Sequence, residues 1–543
     1  MIGRVFWDAP VRDLLDGQET DYVLLEERDF LRRRGTTSMP GCREYIIKHA
    51  LTREVAYGSL PKARRGHLHA GFARWLEGIA GEQEELAGVV AHHFTQAVRP
   101  EDADIAWEGR GDELVQLREN AVDWLRRAAA TATARYLLDD ALTMLHQALD
   151  LADDGEVQGG IWEQIGAANA AKYDGAAFWT AMQRALELGP TDRAVFIYAD
   201  LAYFTSTQAG MWTSLPEASL VLGWAERVLQ LTQEPALVAR AQLAVNQWAT
   251  DPGERRAAAA RAVELAEEAG DDRLLAMAYV FDADAALDRW DLDHHGRCCE
   301  QALALTGRLH DPDVLGAVLV TAGEHDLLTG DIGSALARTL QHRDLVHPLT
   351  SHHRVHGVGF LVLAGEETGR WESVRGLSAE VEQLVAANLG TPCMLNALSL
   401  LTCAHAALVC GDLDEAARLR TAADSLDMKG YARIDVADAR FALAMGDPHR
   451  ARDALARHDH EVLVSLGPSA ITTYLELLVR LGEAGKVEEL GTRMAEAGAY
   501  FRPFALWALG QVRDDPRMVM EAAALFDTLT LHWHAGQARA SLS

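Results

Sequence analysis

Four histidines within ten residues, His347, His352, His353 and His356, are the densest group of metal-capable side chains in the chain. His352 and His356 stand four apart, a spacing that puts two imidazoles on one helix face, as zinc ligands stand. The residues between them are His353, Arg354 and Val355, so HExxH is absent, and no carboxylate or cysteine lies inside the group. These histidines therefore read as packing or solvent-facing residues, and no metal is expected. The pairs His92-His93 and His294-His295 point different ways on a helix and suggest no site. Cys298-Cys299 could invite a redox reading, but adjacent cysteines on a helix diverge, and core packing is expected. No GxSxG anchors a serine nucleophile and no GxxxxGK[ST] offers a phosphate cradle. The one Gly-Lys, Gly485-Lys486, is followed by Val487 and lacks the hydroxyl such a loop needs. No catalysis and no cofactor are expected.

The elements that would carry these residues repeat. Gly330-Asp331 is followed by Ala335, Gly411-Asp412 by Ala416 and Gly446-Asp447 by Ala451. Gly369-Arg370 leads to Val374 and Gly485-Lys486 to Leu490, so a small or apolar residue stands five places after each glycine. The glycines are 39, 42, 35 and 39 residues apart. Such a period marks a helical solenoid, in which a helix pair buries its apolar face only by stacking on its neighbours. Ala148-Leu149, Ala185-Leu186 and Ala302-Leu303 fall near the ends of second helices, and Tyr136, Tyr173 and Trp290 stand 12 residues before those alanines, at the turn. Pro190 would close a repeat. The alanines allow close helix crossings, and Trp179, Trp224 and Trp371 can fill the gaps between repeats. Turns near 136, 173, 216, 252, 290, 330, 369, 411, 446 and 485 predict about ten repeats, matched least well over 200–260. The expected fold is all-α: a right-handed tetratricopeptide-like superhelix over 113–500, capping helices over 501–543, and a helical connector over 66–112 with a polar linker from Pro100 to Gly111.

Residues 1–65 differ. Val11 to Leu15 and Leu24 to Leu31 predict two helices, the second ending in Arg32-Arg33-Arg34-Gly35. A turn-rich stretch through Met39-Pro40-Gly41 follows, then a possible strand at Arg43 to Ile47 and a helix over 49–59. That order suits a small winged-helix-like domain. Helices His67 to Ile79 and Glu82 to Ala97 come next.

At 543 residues, 49% hydrophobic and with 15 prolines, the chain is too long for one compact core and too apolar for disorder. No apolar run approaches the roughly 18 residues that span a bilayer. Met1 to Leu15 carries Arg4, Asp8, Arg12 and Asp13, so no secretory segment is expected. The six cysteines form no CxxC pair and suit a reducing cytoplasm. Net charge is −29. Residues 1–75 hold 13 Lys/Arg against 10 Asp/Glu, leaving 38 against 70 for the rest. An acidic solenoid repels nucleic acid and anionic membranes. Any nucleic-acid role would fall to the N-terminal segment, where Arg32, Arg33, Arg34, Lys62, Arg64 and Arg65 are candidate DNA or partner contacts.

The segment Arg43 to Leu68, REYIIKHALTREVAYGSLPKARRGHL, resembles the winged-helix end of bacterial AAA/STAND-type signalling ATPases. Ile2 to Trp7, Leu24 to Arg34 and Ala91-His92-His93-Phe94 extend the resemblance. In that group an adenylate/guanylate cyclase-like or kinase domain often precedes the ATPase, and tetratricopeptide-like repeats follow it. The resemblance implies that Ile47-Lys48-His49-Ala50-Leu51 corresponds to the Met-His-Asp motif, whose histidine touches the β-phosphate of bound ADP. His49 is then a nucleotide-sensor position, although Ala50 stands where the motif has aspartate. With no P-loop, the chain is expected to be the recognition or sensor arm of such an ATPase, the NTPase or cyclase being a separate partner. A DNA-binding regulator and a small-molecule sensor with its ligand inside the superhelix are the alternatives.

Overall fold

The computed structural model describes all residues except 1–2, 16, 40, 81–83, 213, 392, 429, 464–465 and 543. Ile2, Pro40 and Glu82, which entered the sequence readings, therefore lie outside the described residues. The chain is all-helical apart from one small N-terminal sheet. It divides into two compact units: Met1–Lys172 with Ala177–Ala194, and Tyr173–Ala176 with Val195–Ser543.

Why the turns recur is visible in their backbone. Gly330, Gly369, Gly411 and Gly446 have φ of 93°, 66°, 84° and 82°, the left-handed region where a Cβ is penalised. At each, the next N–H bonds back to the carbonyl five residues earlier: Asp331 to Asp326, Arg370 to Gly365, Asp412 to Ala407 and Asp447 to Ala442, at 2.8–2.9 Å. The aspartates then cap the following helix, accepting from Ser334 N, Glu415 N and Arg450 N at 3.0–3.1 Å. One dipeptide thus ends one helix and starts the next. Ala335, Ala416 and Ala451 are buried at the crossing it sets up.

Tyr136, Tyr173 and Trp290 take the same left-handed conformation, with φ of 57°, 61° and 63°. A non-glycine residue there costs on the order of 1–3 kcal/mol. For two of them ring packing offsets the cost: Tyr173 stacks on His352 at 3.8 Å, and Trp290 meets Phe501 at 5.1 Å between centroids.

Two expectations for the helical region need correction. The turn placed at Gly485 is at Gly482 (φ 78°), with Glu483 N bonded to Leu478 O, and Gly485 lies inside the helix Ala484–Glu496. The linker over 100–111 contains the helix Pro100–Ala106, whose proline sits in the first turn. The 200–260 region fits least well because two of its helices, Ala194–Thr207 and Ala218–Leu231, are joined by a ten-residue connection holding a 3-10 turn, Ala209–Met211. The turn pattern also continues past 500. Asp514 and Thr530 are left-handed, and Val519 and Ala535 are buried five places later.

In the first unit, strands β1 (Val5–Trp7), β2 (Leu31–Arg33) and β3 (Glu44–Ile47) form an antiparallel sheet in the order β1-β3-β2. Phe6 pairs with Tyr45 and Arg32 with Ile46. The helices Asp8–Leu14 and Tyr22–Glu27 lie between β1 and β2 in sequence. Leu31 to Arg33, read above as a helix end, is thus a strand. Three residues are too few to show an alternating pattern, and the backbone N–H of Arg33 is tied to Glu26 Oε1 at 2.6 Å.

Candidate ligand-binding site

In the second unit several first helices of the repeats are buried almost all round. Met394–Val409, LNALSLLTCAHAALV after its first residue, is an example. A polar residue on such a helix either finds a partner or costs on the order of 1–3 kcal/mol. Glu366 and Arg440 find each other: Arg440 Nη1 donates to Glu366 Oε1, and both residues are more than nine-tenths buried. Thr402 Oγ1 donates to Glu366 Oε2 at 3.3 Å, and Arg440 Nη1 also reaches Thr473 Oγ1 at 3.3 Å.

Around this pair is a cavity of about 300 Å³, walled by Trp371, Tyr500, Phe504 and Trp533. Four polar atoms of its lining residues have no hydrogen-bond partner among the described residues: Trp371 Nε1, His405 Nδ1, Arg440 Nε and His534 Nε2. Trp371, His405 and Arg440 are 5%, 8% and 7% exposed. Burial holds His405 neutral, well below the usual imidazole range, and the Arg440 and Arg480 charges act the same way. Burial raises Glu367 well above the carboxylate range, with Glu324 and Glu366 adding to it. Arg480 is paired with Glu476 at 2.6 Å. The walls are aromatic, the charges are paired, and unspent hydrogen-bonding atoms remain.

A second chamber, of about 400 Å³, is lined by Asp284, Glu324, Arg255, Arg433, Trp290 and Phe501. Asp284 touches the solvent inside it but is crowded by the surrounding helices, and this enclosure raises its pKa to about 7, with Glu324 and Asp288 adding repulsion. A carboxylate whose folded pKa exceeds the unfolded value favours the protonated fold. Its contribution is therefore present at low pH and lost as pH rises from about 4 to 7. Asp284→Asn is expected to raise the melting temperature at pH 8 by roughly 1–2 °C, about 1 kcal/mol after discounting for solvent access, and by only about a third as much at pH 5. Thermal melts of both proteins at the two pH values check this, and an equal shift at both would remove the electrostatic explanation.

A third chamber, of about 350 Å³, is lined by Tyr173, Tyr203, Phe281, His342, His352 and His356. His352, His353 and His356 of the group that the sequence placed on packing or solvent-facing positions lie here. His352 and His353 are buried. His353 Nε2 meets Asp313 Oδ1 and its Nδ1 meets Thr350 Oγ1, both at 2.6 Å. His356 Nε2 lies 3.2 Å from Cys393 Sγ, so a cysteine does join this group in space although none does in sequence.

The candidates of the N-terminal segment are not brought to one place. His49 is the exposed residue before the helix Ala50–Gly58, and its side chain makes no capping bond. Arg32 and Arg33 are exposed on β2, and Arg34 pairs with Glu44 at 2.8 Å. Arg65 donates to Leu60 O at 2.9 Å and lies over the Tyr57 ring, which ties it to the end of the preceding helix. Lys62 and Arg64 are exposed in the first turn of Lys62–Ala80.

No protein-family model and no curated protein matches the chain. Among solved structures it is similar to a signal transduction ATPase with numerous domains (STAND) that has a tetratricopeptide repeat sensor, from Pyrococcus horikoshii. The TM-score is 0.43 at 9% identity, covering 78% of this chain and 60% of that one. It is also similar to yeast Tom70, with a TM-score of 0.24 at 12% identity over 85% of this chain and 97% of that one. The chain thus spans 60% of the STAND protein's length. Neither similarity assigns a role to any residue here. No helix among the described residues is long and apolar enough to cross a membrane.

The residues around the first cavity were missed by motif reasoning because they form no motif. A weaker signal was present. His405 is the lone ring nitrogen donor in an apolar helix, and Glu366-Glu367 end the run Gly359 to Gly365, GFLVLAG.

Proposed function

We propose that the chain is a non-catalytic recognition scaffold that takes a small polar ligand into the cavity around Trp371, His405 and Arg440. The observation that carries this reading is the convergence there of partnerless buried polar atoms from separate helices. Buried polar atoms in native proteins are nearly all hydrogen-bonded, so a cluster of exceptions around one cavity is best explained by a molecule that supplies the partners. Because Arg440 and Arg480 are already paired with Glu366 and Glu476, the ligand is neutral or zwitterionic. It presents hydrogen-bonding groups to Trp371, His405 and Arg440 and a flat face to the aromatic walls.

In this reading the chain is the sensor arm of a signalling ATPase, and binding is transmitted because the ligand favours one arrangement of the arm over another. The sheet order β1-β3-β2 with two helices between its first two strands supports a winged-helix-like domain over 1–65. The connector over 66–112, the repeats over 113–500 and the cap over 501–543 complete the proposed organisation. His49, exposed and making no capping bond, suits contact with a nucleotide held by the ATPase. The DNA-binding alternative gains no support. The helix Tyr22–Glu27, which a winged helix would present to the groove, carries Glu26 and Glu27 and no basic residue.

The test is a melting-shift titration of the full chain with monosaccharides, disaccharides and free amino acids. Saturation at about 100 times Kd should add about 2.7 kcal/mol of stability. His405→Ala should weaken the response without abolishing folding. If none of these compounds gives a saturating shift, or if His405→Ala binds at full strength, the cavity is not the ligand site.

A further inference from the structure

We propose that His352, His356 and Cys393 form a binding site for a borderline-soft divalent cation of the zinc class. Their three ligand atoms lie within 4.8 Å of one another. His352 and His356 share a face of the helix Ser351–Glu367, and Cys393 stands at the N-terminus of the helix Met394–Val409. Around a tetrahedral zinc, N–Zn bonds of about 2.0–2.1 Å and an S–Zn bond of about 2.3 Å put N and S about 3.5 Å apart. His356 Nε2 and Cys393 Sγ are 3.2 Å apart, so a small side-chain adjustment opens room for the ion.

Two further observations point to a ligand there. His352 is 1% exposed, yet neither of its ring nitrogens has a hydrogen-bond partner among the described residues. An imidazole buried with both nitrogens unspent is uncommon unless something unseen occupies one of them. Its ring is held flat against Tyr173 at 3.8 Å, so the orientation is fixed before any ion arrives. His352 and His356 also line the third chamber, which supplies an entry path and a water for the fourth position.

The donor set limits the ion. Two imidazoles and a thiol suit zinc or copper(I) and not calcium or magnesium, which take oxygen. Binding transfers the Cys393 proton to solvent and leaves a thiolate–metal bond, with no change of oxidation state. A second trio, Asp282, His294 and Cys298, is equally compact but lacks the orphaned atom. His294 Nε2 and Cys298 Sγ both bond Asp282 Oδ2, at 2.8 and 3.4 Å.

Untagged full-length protein, stripped with chelator and dialysed, would be titrated with zinc alone and, separately, with cobalt(II). One equivalent should bind, and the cobalt form should show a thiolate-to-metal charge-transfer band. Cys393→Ser should abolish that band, and His356→Gln should weaken zinc by at least about 100-fold, the upper end of what losing a group behind a ligand costs. Cys298→Ser should leave both signals intact. Loss of the band in Cys298→Ser with its retention in Cys393→Ser would move the site to the other trio and overturn the proposal. So would the absence of a stoichiometric wild-type signal. Circular dichroism of each variant shows that it folds before its band is read, and a folded Cys393→Ser that keeps the band overturns the proposal.

Discussion

Glu366→Ala is expected to destabilise the second unit by about 3–5 kcal/mol, the cost of stranding one partner of a buried ion pair. The loss falls on Arg440, which is 7% exposed, has a partnerless Nε, and would keep only Thr473 as a polar neighbour among the bonds described. A guanidinium cannot escape by losing its proton. The reverse change is milder for that reason. Arg440→Met leaves a carboxylate beside Glu367, and a buried carboxylate can take up a proton. Its penalty should therefore be small at pH 5 and grow towards pH 8, whereas that of Glu366→Ala should not. The double variant Glu366→Gln/Arg440→Met replaces both charges and should recover most of the loss. Denaturant titrations at two pH values separate these outcomes. A Glu366→Ala penalty below about 1 kcal/mol would mean that the pair is solvated like a surface bridge. The enclosed cavity on which the ligand reading depends would then be wrong.

Much of the fold was legible because its turns are chemical statements. A glycine that must be left-handed followed by an aspartate that must cap can be recognised without coordinates, and so can the buried residue five places on. Asp514 and Thr530 perform the glycine's role without a glycine, so the last two turns escaped. The strands β1 and β2 escaped because three residues show no period. The metal-capable trio shows a deeper limit. Cys393 is 37 residues from His356, one repeat further on, and only the stacking of adjacent repeats makes them neighbours. The Glu366–Arg440 pair is 74 residues apart for the same reason. In a solenoid every site is built by residues about one period apart or a multiple of it. A search confined to local motifs therefore returns an empty list even when the lumen is crowded with polar groups.

The same crowding makes the fold sensitive to acid. Lowering the pH from 7 to 5 should remove on the order of 5 kcal/mol from the second unit, a large share of the 5–15 kcal/mol that a folded domain has. Four of its buried histidines, His295, His342, His352 and His405, are held neutral. Burial pushes His295 and His342 down to about 4 and the other two well below the imidazole range. Each is protonated in the unfolded chain below about pH 6.5 and unprotonated in the fold. The unfolded state then binds more protons, and stability falls as pH falls, by about 2 kcal/mol per histidine at pH 5. Asp284, Glu324 and Glu367 oppose this, since their raised pKa values favour the fold on acidification, but His356 and His534, pushed down to about 3 and about 4 by burial, add to the four imidazoles. In the first unit His69 and His93 behave alike, both pushed down to about 3 by burial. Their Nδ1 atoms are 2.7 Å apart, so one donates to the other, and a proton on both would set two donors face to face. Urea titrations between pH 7.5 and 5 measure the slope directly. His405→Gln should lower it by one proton if the mechanism is right. A stability that stays flat over that range would mean that the buried imidazoles find water or a counter-charge on protonation, and burial would not be what holds them neutral.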